Sequence, residues 1–401
     1  MTKVAVTVYA GGLVFQQVFG IKELWGIDFF WIAAIGLVVL TALYTIFGGM
    51  KSVLYTSVLQ TPILLLGSLI ILVLGFKELG GWDEMMKVCG AVTVNDYGDT
   101  MTNLIRSNDD ANFPWLGALI GSAIIGFWYW CTDQFIVQRV LSGKNEKEAR
   151  RGTIFGAYLK LLPVFLFLIP GMIAFALHQK YIGAGGEGFL PMLANGTANA
   201  DAAFPTLVAK LLPAGVKGLV VCGILAALMS SLASLFNSSA MLFTIDFYKR
   251  FRPETPEKKL VGIGQIATIV IVILGILWIP IMRSVGDVLY TYLQDVQSVL
   301  APGIAAAFLL GICWKRTSAQ GGMWGLISGM VIGLTRLGAK VYYSNAGEVA
   351  DSTFKYLFYD MNWLFFCGWM FLFCIIVVIV VSLATEAPTA EKIQGLVFGT
   401  A

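Results

Sequence analysis

The feature that most constrains this chain is a succession of apolar runs. Ten can be marked off, each near the ~20 residues a helix needs to cross a hydrocarbon core: Val4 to Gly20, Phe29 to Phe47, Val53 to Gly75, Trp115 to Leu141, Thr153 to Leu177, Gly218 to Phe247, Leu260 to Met282, Val288 to Cys313, Met323 to Tyr343 and Trp363 to Ala384. The pattern predicts an all-α polytopic membrane protein of about ten transmembrane helices forming a single transmembrane domain over 1–401. Composition agrees, because 58% hydrophobic and 13% charged residues with a mean hydropathy of +0.79 fall far outside the range of soluble globular chains. The first run begins almost at Met1 without the charged start, apolar centre and cleavage site of a signal peptide, and it reads as the second half of a helix.

Charge excludes several classes of function. The formal net charge is only +3, and the basic residues lie in short connectors rather than in one patch, so nucleic acid is not an expected partner. Of the six cysteines, all but Cys89 lie in or beside apolar runs, and no disulfide framework or CxxC metal site is suggested. His178 is the single histidine and sits at the end of a run, so histidine metal sites and catalytic triads lack their parts. An enzyme is not expected.

Lys and Arg in the short loops set orientation. Lys51, then Lys144, Lys147, Arg150 and Arg151, then Lys249, Arg250, Arg252, Lys258 and Lys259, then Lys315 and Arg316 occupy alternate connectors, which predicts that these face the cytoplasm. The loop from Lys77 to Pro114 carries Asp83, Glu84, Asp96, Asp99, Asp109 and Asp110 against Lys87 and Arg106, and is expected outside. Both chain ends are then cytoplasmic, in a cell (plasma or inner) membrane.

Within the runs, polar residues and helix breakers mark candidate sites. Pro62, Pro163, Pro170 and Pro302-Gly303 interrupt helical pattern; singly each reads better as a packing kink, and only together do they argue for the broken helices of transporters. Asp133 and Lys160 are ionisable groups inside apolar sequence, where a charge is costly and marks a substrate or ion pathway by default. For Lys160 two readings stay open, a substrate contact or a structural ion pair with Asp133. Tyr129 and Asp133, and Trp130 and Gln134, are one turn apart, so one segment offers aromatic faces beside hydrogen-bonding groups, as a sugar site needs; an interfacial aromatic belt is the plainer alternative. Ala227, Ser230 and Ser231 share a helical face that Ser234 and Ser238 continue. Such oxygens can hold a small hard cation, although spacing alone favours a small-residue packing stripe with back-bonded hydroxyls. Gln294, with Asp295 next to it, precedes the Pro302-Gly303 break and is either an interhelical hydrogen bond or a ligand.

At these residues the chain resembles the sodium/solute symporter family, and within it the sodium/glucose cotransporter branch. The stretches that carry the resemblance are Phe127-Trp-Tyr-Trp-Cys-Thr-Asp-Gln with Val137-Gln-Arg139, Gly156-Ala-Tyr-Leu-Lys160, Leu228-Met-Ser-Ser-Leu-Ala-Ser with Asn237-Ser238, Tyr292-Leu-Gln294, and Phe308-Leu-Leu-Gly with Trp314-Lys-Arg316, in the right order along nearly the whole chain. The resemblance implies a leucine-transporter-like inverted-repeat fold, with the second repeat at about 115–313 and the first core helices lacking, as expected of a fragment of a longer reading frame. It implies that Tyr129 gates a sugar site, that Trp130 is its neighbour, that Lys160 and Gln294 meet sugar hydroxyls, and that Ala227, Ser230 and Ser231 are ligands of a transported sodium ion. Two positions depart from the pattern. Ser57 stands where many relatives carry an acid, and Gly126 where relatives place a polar sugar contact. The expectation is sodium-coupled symport of a glucose- or galactose-like sugar across the bilayer by alternating access. Its alternatives are another solute (an amino acid, a carboxylate or a vitamin) or a transport-inactive sensor.

Overall fold

The computed structural model describes residues 2–193, 196–285, 289–345 and 350–400. Helix α1 (Thr2–Phe19) leads into a hairpin of β1 (Glu23–Leu24) and β2 (Ile27–Asp28). The two-residue turn, Trp25-Gly26, has φ of 55° and 75°, the double positive φ of a tight hairpin whose twist matches its strands. Asp28 then caps α2 (Phe29–Leu79): its carboxylate accepts from Phe30 N at 3.0 Å and from the Gln16 amide at 3.0 Å. Helix α2 runs for 51 residues through Pro62 and stops at Gly80, whose φ of 109° ends it in a left-handed cap.

The sequence predicts two runs here, with a connector at Lys51. The backbone is instead helical through both. The intervening Gly48-Gly49 weakens a helix by about 1 kcal/mol per residue without forbidding it, and no proline stands between the runs to force the chain out. The side chain of Lys51, and Val288 at the start of the eighth run, lie outside the described residues.

The chain continues through α3 (Trp82–Gly90), α4 (Trp115–Cys131), α5 (Gln134–Leu141), α6 (Glu146–Leu159), a π-helical turn over Val164–Leu168, and α7 (Ile169–Gly183). Then follow α8 (Ala203–Leu211), α9 (Ala214–Met241), a second π-helical stretch over Leu242–Tyr248, and the single turn α10 (Lys249–Phe251). The remainder is α11 (Glu257–Val285), α12 (Leu289–Cys313), α13 (Ala319–Asn345), the short α14 (Thr353–Lys355), α15 (Trp363–Ala384) and the short α16 (Ala390–Ile393). Among the described residues six helical segments have the length and apolarity of a membrane span, or seven if α4 and α5, bent by 45° at a short break, count as one. Pro163 immediately precedes the first π turn and Pro170 follows it, both within a helical stretch that runs over Glu146–Gly183. Pro62 and Pro302 are accommodated inside continuous helices.

The chain forms two compact units. One comprises Met1–Val94, Thr100–Thr102 and Gln138–Ser284. Its core gathers Ile71 and Leu79 of α2, Met85 and Cys89 of α3, Ile173 and Leu177 of α7, Leu207 of α8 and Val220 of α9. Polar residues at its edge serve packing. Lys180 donates to Leu79 O at 2.9 Å and so covers the end of α2, while buried His178 accepts from Leu190 N at 3.0 Å. The histidine is therefore a structural acceptor that pins the segment after α7.

The other unit comprises Asn95–Asp99, Asn103–Val137 and Val285–Ala401, with α4, α12, α13 and α15 packed together. Its acidic loop has a structural purpose. The carboxylate of buried Asp110 accepts from Phe113 N (2.7 Å), Asn112 N (2.9 Å), the Asn95 amide (3.1 Å) and Arg106 Nη1 (3.3 Å), and this shapes the turn that enters α4. Burial pushes the Asp110 carboxyl up, but the backbone N–H groups of Phe113 and Asn112, the Asn95 amide and Arg106 together hold it below the ordinary aspartate value. Asp99 is held low as well, chiefly by the N–H of Ser107 at 2.7 Å.

Candidate functional site

Helix α9 carries the serine stripe. Ser230, Ser234 and Ser238 are all buried, one turn apart, while Ala227 and Ser231 on the adjoining face are half-buried. The stripe back-bonds as the packing alternative expects: Ser234 Oγ donates to Ser230 O at 3.0 Å, and Ser238 Oγ to Ser234 O at 2.6 Å. Packing does not account for the whole of it. The Ser230 hydroxyl lies 2.6 Å from the hydroxyl of Ser57 on α2, the position noted above as a departure from the family pattern. One turn along α2 from Ser57, the side-chain oxygen Oε1 of Gln60 is buried without a hydrogen-bond donor. The Ser57–Ser230 pair thus brings uncharged hydroxyl oxygens of α2 and α9 together in a part-buried setting, a donor chemistry suited to a hard monovalent cation and unsuited to a soft metal.

A second layer lies one turn further along α9. Arg139 Nη2 donates to Ser234 Oγ at 2.6 Å; the Gln138 amide donates to Ser234 O at 3.1 Å and Ser238 Oγ at 2.7 Å, and accepts from Asn237 at 3.2 Å. Both residues belong to the Val137-Gln-Arg139 stretch that marks the resemblance, but residue pattern alone assigned them no role. Their partners lie about 100 positions away in sequence, beyond what local spacing can reveal.

Lys160 is exposed and sits at the end of α6, just before Pro163 and the π segment, within a helical stretch that runs over Glu146–Gly183. Lys160 and Asp133 belong to different compact units.

In the other unit, α4 ends at Thr132, whose hydroxyl donates to Trp128 O at 2.8 Å. The N–H groups of Thr132 and Asp133 both reach the same carbonyl, at 3.0 and 3.1 Å. Asp133 then accepts from Phe135 N at 3.2 Å, so it sits at the break as the cap of α5. Trp128 is buried against Ile124, Ala301, Trp363 and Leu364, and Tyr129 packs partly on that cluster. Trp130 is exposed and meets Tyr129 edge-on at 5.3 Å between centroids. The aromatic run therefore divides into a core residue, a half-buried one and an exposed one. Gln294 on α12 is half-buried, and its amide donates to the Tyr290 hydroxyl at 3.1 Å. Gly126 lies on α4 with nothing within 4 Å of where a Cβ would stand, so the position has room for a side chain.

Sequence reasoning missed one cluster altogether. Asp295 of α12 is flanked by Arg336 and Lys340 of α13, and the charged pair in the ninth run was the signal that could have found it.

The profile of the sodium:solute symporter family matches residues 1–329. Over 410 residues, all of this chain, the sequence is 35% identical to the sodium/myo-inositol cotransporter 2 of Homo sapiens, covering 60% of that protein. It is 36% identical to the sodium/mannose cotransporter of Bos taurus over 410 residues (100% of the chain, 68% of the relative). To the sodium/glucose cotransporter 1 of Ovis aries it is 36% identical over 406 residues (97% and 60%). The chain thus spans about three-fifths of the length of the myo-inositol and glucose cotransporters it matches. Its fold superposes on a Na+-coupled sialic acid symporter in a substrate-bound outward-open state with a TM-score of 0.68 and 21% identity, covering 97% of this chain and 74% of that one. The leucine-transporter-like symporter architecture expected from the sequence is accordingly the fold of this integral membrane protein. Helices built as above, a buried oxygen cluster on α9 and the family profile running through both lead to one assignment: this chain belongs to the sodium:solute symporter family.

Proposed function

We propose that the protein carries a sugar or a closely similar polyhydroxylated solute across the membrane together with sodium. The observation that carries this reading is similarity along all of the chain to cotransporters named for myo-inositol, mannose and glucose, ring solutes rimmed with hydroxyls. Ala227, Ser230 and Ser231 offer neutral oxygen ligands for sodium on α9, and the closeness of Ser57 to Ser230 extends that set to α2. Tyr129 and Trp130 supply aromatic faces, and Lys160 and Gln294 supply hydroxyl partners, in the roles the family resemblance gives them.

Because the sodium ligands are uncharged, the ion's charge is not neutralised on binding, and inward movement draws on the membrane potential, about 2.3 kcal/mol per charge per 100 mV. Rocking of the helix bundle would alternate access to the two sides. The basic connectors around Lys144–Arg151 and Lys249–Lys259 face the cytoplasm of a cell membrane in this reading.

The test is uptake of labelled glucose, galactose, mannose and myo-inositol by the reconstituted protein, with and without sodium, for the parent, Ser231→Ala and Lys160→Ala. Sodium-dependent uptake is expected for at least one of the four. Ser231→Ala should raise the half-saturating sodium concentration about tenfold, the effect of losing ~1.4 kcal/mol of binding. Lys160→Ala should raise the sugar KM. Sodium-dependent uptake of an amino acid or carboxylate that none of the four solutes competes would overturn the sugar assignment.

A further inference from the structure

Asp295, Arg336 and Lys340 form a three-charge cluster inside the second unit. Arg336 is fully buried and Asp295 is 9% exposed. Arg336 Nη2 stands 3.5 Å from one Asp295 oxygen, and Lys340 Nζ donates to the other. Arg336 also donates to Met361 O at 2.8 Å and to Leu357 O at 3.5 Å, around the start of α15, and its guanidinium lies 4.0 Å above the Phe366 ring. One arginine thereby joins α12, α13 and the entry to α15. A buried ion group of this kind adds little net stability over an apolar replacement, because desolvation offsets the attraction. What it supplies is geometry: one carboxylate has to meet two fixed cations, and a helix that rotates or slides loses both.

The same face of α12 is locked along its length. Asp295, Val299 and Gly303 follow one another at intervals of four residues, and opposite them α13 presents Lys340 and Arg336, then Gly333, then Gly329. A Cβ at Gly333 would stand 2.7 Å from Val299 O, and one at Gly329 would stand 3.0 Å from Gly303 Cα, so the helices approach too closely for side chains there. Packing of small residues fixes how near the helices lie. The charges at Asp295 add a directional constraint on register, since one carboxylate pairs with two cations of α13.

Gln294 is the next residue, about 100° around the helix from the locked face. We propose that Asp295, held between Arg336 and Lys340, is the positioning residue for Gln294: the cluster sets the rotation and height of α12 and so the place at which the Gln294 amide meets a solute hydroxyl. This rests on the sugar-binding role given to Gln294 above. Misplacing one hydrogen-bonding group by a fraction of an ångström weakens a polar contact without abolishing the fold.

The test is a double-mutant cycle in the reconstituted protein, reading sugar KM, maximal uptake and sodium half-saturation for Asp295→Asn, Asp295→Glu, Gln294→Ala and the combinations. Asp295→Glu keeps the charge and guards against loss of folding in Asp295→Asn, which leaves Arg336 without its counter-charge; the melting temperature of each variant reports folding. The expected result is a rise of roughly tenfold in sugar KM for Asp295→Glu and for Gln294→Ala, with sodium half-saturation unchanged. No further rise is expected when the two are combined, because both act through one contact. Multiplying effects in the double variant, or an unchanged KM in a folded Asp295→Glu, would overturn the positioning role while leaving Gln294 as a sugar contact. An unchanged KM in Gln294→Ala would remove the sugar role of Gln294 and this proposal together.

Discussion

At the scale of single residues, the structure separates polar groups that build the fold from those that are spare for a ligand. Asp110 belongs to the first kind, with four donors converging on one carboxylate. Its folded-state pKa lies below the unfolded value of about 3.9. The stabilisation it provides is therefore fully present above that value and is lost as pH falls through the folded pKa. The loop over 95–113 should stay resistant to proteolysis at neutral pH and become sensitive below about pH 4. Asp110→Ala should make it sensitive at pH 7 as well, since two backbone N–H groups lose their acceptor at a cost of ~1–3 kcal/mol; limited proteolysis across pH checks both. Gln60 belongs to the second kind, with a buried side-chain oxygen that no donor reaches.

The residue types at the site were legible in sequence. Ala227, Ser230 and Ser231 share a face because helical spacing makes them do so, and Tyr129 and Trp130 stand on α4 beside its break. The pairing of Ser57 with Ser230, 173 positions apart, and the grip of Gln138 and Arg139 on α9 were not legible, because no local period links positions so distant.

At the scale of elements, helix breaks decide where chemistry sits. Pro163 precedes a π turn, and Lys160 lies exposed just before it, within a helical stretch over Glu146–Gly183 that is long enough to cross a membrane. An error occurred at Lys51, where charge patterning suggested a connector and the backbone remains helical, since glycine permits a turn without imposing one. Asp133 was read as a charge inside a span, and its geometry is that of a cap: its carboxylate holds the Phe135 N–H at the 45° break between α4 and α5. Asp133→Ala should cost about 1 kcal/mol through the lost cap, and Asp133→Asn or Asp133→Ser, which also cap, should restore most of it. Melting temperatures of the three variants check this. A fully destabilising Asp133→Asn would show that the charge matters rather than the cap. The contact of α12 with α13 makes a sharper demand, because Gly333→Leu would drive a side chain into Val299 and should lower the melting temperature by several degrees.

At the scale of the whole molecule, an all-helical membrane chain was evident from apolar runs alone, and the family was evident from motif order. The number of spans was less so: six segments meet the criteria of length and apolarity, or seven with the bent pair, among the described residues. Several runs are shared between membrane-length helices and breaks, and hydropathy does not distinguish the two. Sodium that binds the folded protein and not the unfolded chain should raise its melting temperature, by the equivalent of ~2.7 kcal/mol when sodium is a hundredfold above its dissociation constant. Potassium at equal ionic strength should not reproduce the rise. Coupling of solute movement to a sodium gradient shows most directly in concentrative uptake. Proteoliposomes given an inward sodium gradient should accumulate labelled sugar transiently above the external concentration, and a sodium ionophore should abolish the overshoot. Label that only equilibrates, at the same rate with sodium, potassium or ionophore, would contradict it.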